Sequence, residues 1–440
     1  MRYLIMLVVA ALAVAGIGYA LTTFGGEETS ERPIEDFKIG QGPSTMTEAV
    51  AEADRKVANR RARLEQQPEE WLRQEMLAIA LAERFRLTGD YADISEAEGL
   101  LDRAFEVAPE PSGPSLTAAS LALTTHGLDT ADSMIARYDS TAAQLPDQRR
   151  QADALRGDIR FQRGDIEGAA KAYELASSDG LDVAGAMRRA NALLWGGQPV
   201  EARETAEVAL KTAQLSPSAF ARSALFMANL SYATGDIARA RAWVDAANSA
   251  FEGYWLADAY AGQQLAAEGE IEASIAALEK LARKYPEPDL IDTLVGVLLY
   301  AGEDVRADYW QRRAAALWDE KLEISRDAYR LHAAEHYLDF GDPAKALELA
   351  REEVAARPFG EAIEVFASAL NANDRPADAL RWLERAEAEG WRAVSLDLAR
   401  SEALAMLGRD REAKTFLDRA KETNPLAGTE ERKLVRFGHF

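Results

Sequence analysis

The sequence predicts an all-α fold, a solenoid of about nine to ten helix pairs preceded by one N-terminal transmembrane helix. Three observations carry that expectation. A glycine or a stand-in recurs in one frame at intervals of 33 to 39 residues, as Gly89, Gly127, Gly164, Gly197, Gly235, Gly269, Gly302, Gly341, Asp374 and Gly408. Small residues keep step with it. Seven before the marker stand Ala82, Ser120, Gly157, Ala190, Ala228, Gly262, Ala334, Ala367 and Ser401, with Val295 the exception, and five after it stand Ala169, Ala202, Ala240, Ala307, Ala346, Ala379 and Ala413. A period in this range marks stacked supersecondary units, which grow by addition around one continuous core. Third, alanine is abundant and β-branched residues are sparse, which favours helix throughout.

The chain opens on an apolar run of 19 residues, Tyr3 to Leu21, preceded only by Arg2 and followed by no base until Arg32. Its length suits a spanning helix of about 17–25 residues better than the roughly 7–15 of a secretory signal core. Residues 1–24 are therefore expected to be an uncleaved signal anchor; Gly18-Tyr19-Ala20 offers a small-residue cleavage site as the alternative. Charge bias holds Arg2 in the cytoplasm and passes the acidic stretch with Glu27, Glu28 and Glu31 outward. In a bacterium this places the array in the periplasm, tethered to the inner membrane, or free there if the segment is cleaved. Residues 25–44, mixed in Gly, Pro, Ser and acids, read as a flexible linker. The solenoid is expected over 45–423, starting with a helical stretch from Thr45 to Gln66 that stops before Pro68.

Each unit divides into two helical halves. The first carries an apolar residue four before the marker, as in Phe85, Leu123, Leu193, Leu265, Leu298, Tyr337, Leu370 and Leu404, which completes a packed stripe with the small residue one turn earlier. The glycine turns the chain at the helix C-terminus. Asp90, Asp165, Asp236 and Asp342 follow it as N-caps for the second helix. Small residues recur twelve after the marker, and Pro286, Pro358 and Pro425 close their units. The first unit carries an insertion, Tyr91 to Glu96, and the second is broken by Pro111 and Pro114.

This frame of small residue, aromatic or Leu, Gly, Ala, small residue and Pro resembles the tetratricopeptide repeat family over about residues 70–423. The resemblance implies a right-handed α-α superhelix whose first helices line a concave groove that binds an extended peptide or a partner helix. Six before the marker, the groove-facing position holds Asp158 and then three consecutive amides, Asn191, Asn229 and Gln263. A side-chain amide both donates and accepts, so such a ladder can pair with an extended peptide backbone of any sequence. Phe161, Trp195, Tyr232 and Tyr300 would supply apolar pockets beside it. The competing reading is that the amides satisfy local polar groups at helix contacts. The carboxylate clamp of the family's co-chaperone subset is absent, because Ala154, Met187, Leu225 and Ala259 occupy its position and Arg222 stands alone.

Little else carries chemistry. The net charge of −22 argues against nucleic acid, and the absence of cysteine excludes thiol catalysis, thiolate zinc, disulfides and a lipoprotein anchor. His332-Ala-Ala-Glu335-His336 fits the inverted zinc-peptidase spacing, but it lies inside an ordinary repeat with no third ligand. Two exposed histidines on a solenoid helix are expected there. No catalytic residue, metal, cofactor or small-molecule substrate is expected. Most tryptophans are expected to pack between helices, with Trp391 a candidate for exposure. The tail, 424–440, is expected to cap the last helix, or else to dock on a membrane or partner. The expected function is a non-enzymatic protein–protein interaction scaffold, with a chaperone-like client-binding module and a zinc hydrolase as the alternatives.

Overall fold

The alanines and glycines of the frame sit where helices touch, and they set the architecture. The computed structural model describes residues 37–438 apart from 178, 179 and 181. A lone helix α1 (Met46–Gln66) precedes ten antiparallel pairs among the described residues. These are α2 (Trp71–Thr88) with α3 (Tyr91–Val107), α4 (Ser115–Thr124) with α5 (Leu128–Asp139), and α6 (Pro146–Gln162) with α7 (Ile166–Ala176). Next come α8 (Val183–Trp195) with α9 (Pro199–Thr212), α10 (Pro217–Ala233) with α11 (Ile237–Ala250), and α12 (Trp255–Ala267) with α13 (Ile271–Lys284). The last four are α14 (Pro288–Tyr300) with α15 (Asp304–Ile324), α16 (Arg326–Phe340) with α17 (Pro343–Ala356), α18 (Gly360–Ala372) with α19 (Pro376–Ala388), and α20 (Val394–Met406) with α21 (Asp410–Thr423).

The expected small positions are the helix contacts. Ala190, Ala228, Ala334 and Ala367 are fully buried, and so are Ala169, Ala202, Ala240 and Ala307. A Cβ on Gly157 would lie 2.3 Å from Tyr173, and one on Gly262 would lie 2.5 Å from Leu278. All four expected caps form: Asp90, Asp165, Asp236 and Asp342 accept from the backbone N–H of Ala92, Gly168, Arg239 and Ala344 at 2.8–3.0 Å. Eight of the ten markers take positive φ, Asp374 among them at 56°; at the second unit His126 (61°) takes that role in place of Gly127. The extra residues of the first unit form no loop, since α3 runs unbroken from Tyr91.

The superhelix closes on itself. Gly164 lies against Pro358, Gly197 against Arg392, and Gly235 against Asn424 and Pro425. Hydrogen bonds join the same turns: Arg392 N–H donates to the Trp195 carbonyl (2.7 Å), Trp391 Nε1 to the Gly164 carbonyl (3.1 Å), and Asn424 Nδ2 to the Tyr232 carbonyl (3.0 Å). The third, fourth and fifth units thus seat the ends of the eighth, ninth and tenth. The end of the expected linker is built in as well. Strand β1 (Lys38–Ile39) pairs in parallel with β2 (Gln214–Leu215), and Phe37 packs its ring 5.1 Å from Trp243. Residues 37–44 are therefore not a free spacer, because they find an open backbone edge and an aromatic seat. The apolar run Tyr3–Leu21 lies outside the described residues; among those described, no helix is long and apolar enough to cross a membrane.

Gly235 and Gly408 share a φ of +72°, but a Cβ at Gly235 would meet Asn424 Oδ1 at 2.6 Å, while Gly408 has nothing within 4 Å. Gly408→Ala should cost about 1 kcal/mol for left-handed backbone alone. Gly235→Ala should cost roughly 1–3 kcal/mol more, because it also pushes the turns apart. Urea unfolding of the two variants measures the difference, and equal losses would show that the contact between turns contributes nothing.

Candidate functional site on the inner face

The first helices present their inner faces to the chain's own second turn, and this decides the fate of the expected groove residues. Phe161 and Trp195 are buried; Trp391 packs edge-on to both at 5.1 and 6.2 Å, and Phe359 lies 6.2 Å from Phe161. Trp391, the candidate for exposure, is 1% exposed, because the helix-pair junction that carries it is pressed into the fourth unit. Tyr232 is buried and donates from its hydroxyl to Gln264 Oε1 at 2.6 Å. Asp158 is held by Arg188 through two hydrogen bonds of 2.8 and 2.7 Å and by the Tyr173 hydroxyl at 3.0 Å. Asn191 is half-buried, and its amide has no hydrogen bond among the described residues. Tyr300 is exposed at the end of α14, apart from the others.

One of the three amides, Gln263, holds a peptide backbone, and that backbone is the chain's own tail. Gln263 Nε2 donates to the Phe437 carbonyl at 3.0 Å, and Phe437 N–H donates to Gln263 Oε1 at 2.6 Å. The Phe437 ring stacks on Tyr260 at 4.8 Å with 17° between planes. Tyr260 in turn donates to Asn229 Oδ1 at 2.8 Å, and Gly438 lies directly over Asn229. The tail therefore does more than cap α21. After a 3-10 turn at Glu431–Leu434 it runs back inside the superhelix against the fifth to eighth units.

Beside this seat is a buried carboxylate. Asp292 is 0% exposed; it accepts from Trp318 Nε1 at 2.9 Å, pairs with His336 Nδ1 at 2.7 Å, and has the Arg436 guanidinium at 3.6 Å. His336 and His332 are thus buried where exposed histidines were expected. The reason is that α16 is enclosed between its neighbours and the returning tail. His332 Nδ1 lies 3.0 Å from Glu335 Oε2, which gives Glu335 a local partner. Among the described residues, no group of three or more His, Asp or Glu could hold a metal ion.

A second polar cluster joins the turns. Arg357, 1% exposed, reaches Gln162 Oε1 at 3.1 Å, His126 Nδ1 at 2.6 Å and Glu353, which Arg330 also binds at 2.6 Å. Burial and the Arg357 charge hold the His126 imidazole well below its usual range, so the neutral ring can accept from the guanidinium. Burial, with the nearby Glu335 carboxylate, pushes Glu364 up to about 8.

Asp292 and Tyr260 were missed by sequence reasoning, and the tail was expected as a cap or an external dock, not as the occupant of the inner face. Asp292 stands ten before Gly302, in the same register that holds Ala154, Met187, Leu225 and Ala259 in earlier units. An acid on that apolar stripe was the available signal.

No protein-family model matches this sequence, and no curated protein matches it. Solved structures do. A tetratricopeptide repeat protein from Parabacteroides merdae is 15% identical over 57% of this chain and 97% of its own, with a TM-score of 0.35. Yeast Tom70 is 13% identical, covering 88% of this chain and 91% of its own, at 0.32. The tetratricopeptide repeat domain of P58(IPK) is 13% identical over 87% and 91%, at 0.27. This chain is a helical-repeat array with tetratricopeptide-repeat neighbours. With scores this low, the likeness reaches no further than the architecture already visible in the ten helix pairs.

Glu364 supplies a stability test. Its carboxyl is raised to about 8 in the fold from its ordinary 4.5. The native state therefore keeps a proton that the unfolded chain loses, and stability should fall as pH rises from about 4.5 to about 8. Glu364→Gln should flatten that slope and raise the melting temperature at pH 8 relative to wild type. A parallel pH profile in the variant would show that Glu364 titrates normally.

Proposed function

We propose that the chain is a non-enzymatic protein–protein interaction scaffold, tethered to the inner membrane by Tyr3–Leu21 with its array in the periplasm. The single observation that carries this reading is the pairing of Gln263 with both backbone groups of Phe437. It is an inner-face side chain of a repeat holding both main-chain groups of one peptide residue without reference to its side chain. Further support comes from the disposition of the one catalytic-looking string. His332, Glu335 and His336 are engaged within the interior, which suits a structural role for them. The N-terminal apolar run, with Arg2 on one side and acids on the other, supports the tether.

Outside the closed interior, Leu299, Tyr300, Val305 and Tyr309 are exposed around the turn from α14 to α15. Clustered apolar exposure of this kind suits a contact with another protein. Crosslinking in intact membranes should recover one partner at equal stoichiometry. Val305→Asp with Tyr309→Asp, both solvent-facing, should reduce its recovery by about tenfold or more if they lie at the contact. An unchanged yield removes this face from the interface. Many partners at low stoichiometry would instead favour the chaperone-like reading. Deleting residues 1–21 should move the protein from the membrane fraction to the soluble one; retention in the membrane would end the tether.

A further inference from the structure

We propose that Arg436-Phe437-Gly438 is a displaceable latch, and that the inner-face site it fills is built to recognise an Arg-Phe-Gly segment of a partner protein. This rests on the scaffold reading and names the ligand chemistry of its groove. Three consecutive residues are each read by a separate device. The Arg436 guanidinium lies between Asp292, at 3.6 Å, and Asp339, which it contacts closely, with its Cζ 5.2 Å from the centre of the Phe340 ring. Asp292 is itself fixed by Trp318 and His336, so the acid is preorganised before any arginine arrives.

Phe437 is read twice. Its ring stacks on Tyr260, and its N–H and carbonyl are both taken by the Gln263 amide. Gly438 is read by exclusion. It has φ +81°, and a Cβ there would lie 2.5 Å from Asn229 Oδ1 and 3.0 Å from Asn229 Cα. Any other L-residue would have to push the α10 backbone aside. The site therefore selects a basic residue, then an aromatic one, then a glycine, the last two held in a turn.

The way the tail is held makes exchange chemically accessible. No helix of the described residues follows α21; beyond it the chain has a single 3-10 turn before the tripeptide. The three readings are main-chain hydrogen bonds, a charge pair and a ring stack, and a second peptide of the same pattern supplies all of them. A tethered ligand competes at high effective concentration, so the resting chain presents a closed site and an incoming segment binds weakly until the tail yields.

The test uses a fluorescent peptide of residues 430–438 and the full chain. Arg436→Ala with Phe437→Ala empties the site, and this variant should bind the peptide about tenfold or more tightly than wild type, read by anisotropy. Adding Gln263→Ala should abolish that gain, and a peptide carrying Gly438→Val should not bind. A tail variant that keeps its helical signal and cooperative melting but binds no tighter than wild type overturns the proposal. So does a tail variant that loses cooperative melting, since the tail is then a permanent strut. A wild-type dimer that the peptide dissolves would assign the site to a second copy's tail and overturn the intramolecular latch. Recovery of a membrane partner while the peptide fails would end the latch and leave the scaffold reading standing.

Discussion

Where Gly197 lies under Arg392, a Cβ on the glycine would come within 2.9 Å of the arginine's own Cβ, and the same close approach joins Gly164 to Pro358 at 2.8 Å. These contacts let the second superhelical turn sit directly on the first. In an open solenoid each unit touches only its neighbours, and stability is a sum of local terms. Here distant units share hydrogen bonds to backbone carbonyls and an aromatic seat, with Trp391 meeting both Phe161 and Trp195. Fraying of one end is thereby linked to the middle of the array. The inner face also ceases to be an open groove, and what remains available there is whatever the chain's own segments can vacate.

A closed interior raises a problem of register. Alanine surfaces that repeat every unit look alike, so apolar packing alone would fit the second turn one unit forward or back almost as well. Charged contacts break the degeneracy. Arg357, paired locally with Glu353, can find Gln162 and His126 together in only one alignment, and Arg436 finds Asp292 in only one. Such contacts add little net stability, but a misplaced turn would cost buried polar groups their cross-turn partners, about 1–3 kcal/mol each. The interior polar clusters are thus explained better by alignment of the turns than by strength.

The repeat frame made much of the fold legible. The ten markers, the buried small residues and the four aspartate caps are all local consequences of helix geometry, and local geometry is what a periodic sequence records. The frame placed Asn229 and Gln263 in one register, and in the structure they meet Tyr260 and the tail. It could not say what that register meets, because nothing in a local pattern encodes a contact between residues 263 and 437, or 197 and 392. That is why Phe161, Trp195 and Tyr232 read as open pockets, and why His332 and His336 read as exposed. It is also why Lys38–Ile39 read as spacer, although it pairs with Gln214–Leu215.

Gln263 shows how one inner-face side chain ties a distant segment into the fold. A buried amide left without partners costs about 1–3 kcal/mol, so Gln263, fully enclosed, requires an occupant that returns both a donor and an acceptor. The N–H and carbonyl of a single backbone residue meet that requirement, and an apolar side chain does not. The tail meets it in the resting fold, and the same requirement sets the chemistry of anything that replaces it. Water can satisfy the amide once the site opens, but it cannot reproduce the stack on Tyr260 or the charge opposite Asp292. The hold on the tail in the resting fold therefore resides in the stack on Tyr260 and the charge opposite Asp292 as well as in the amide.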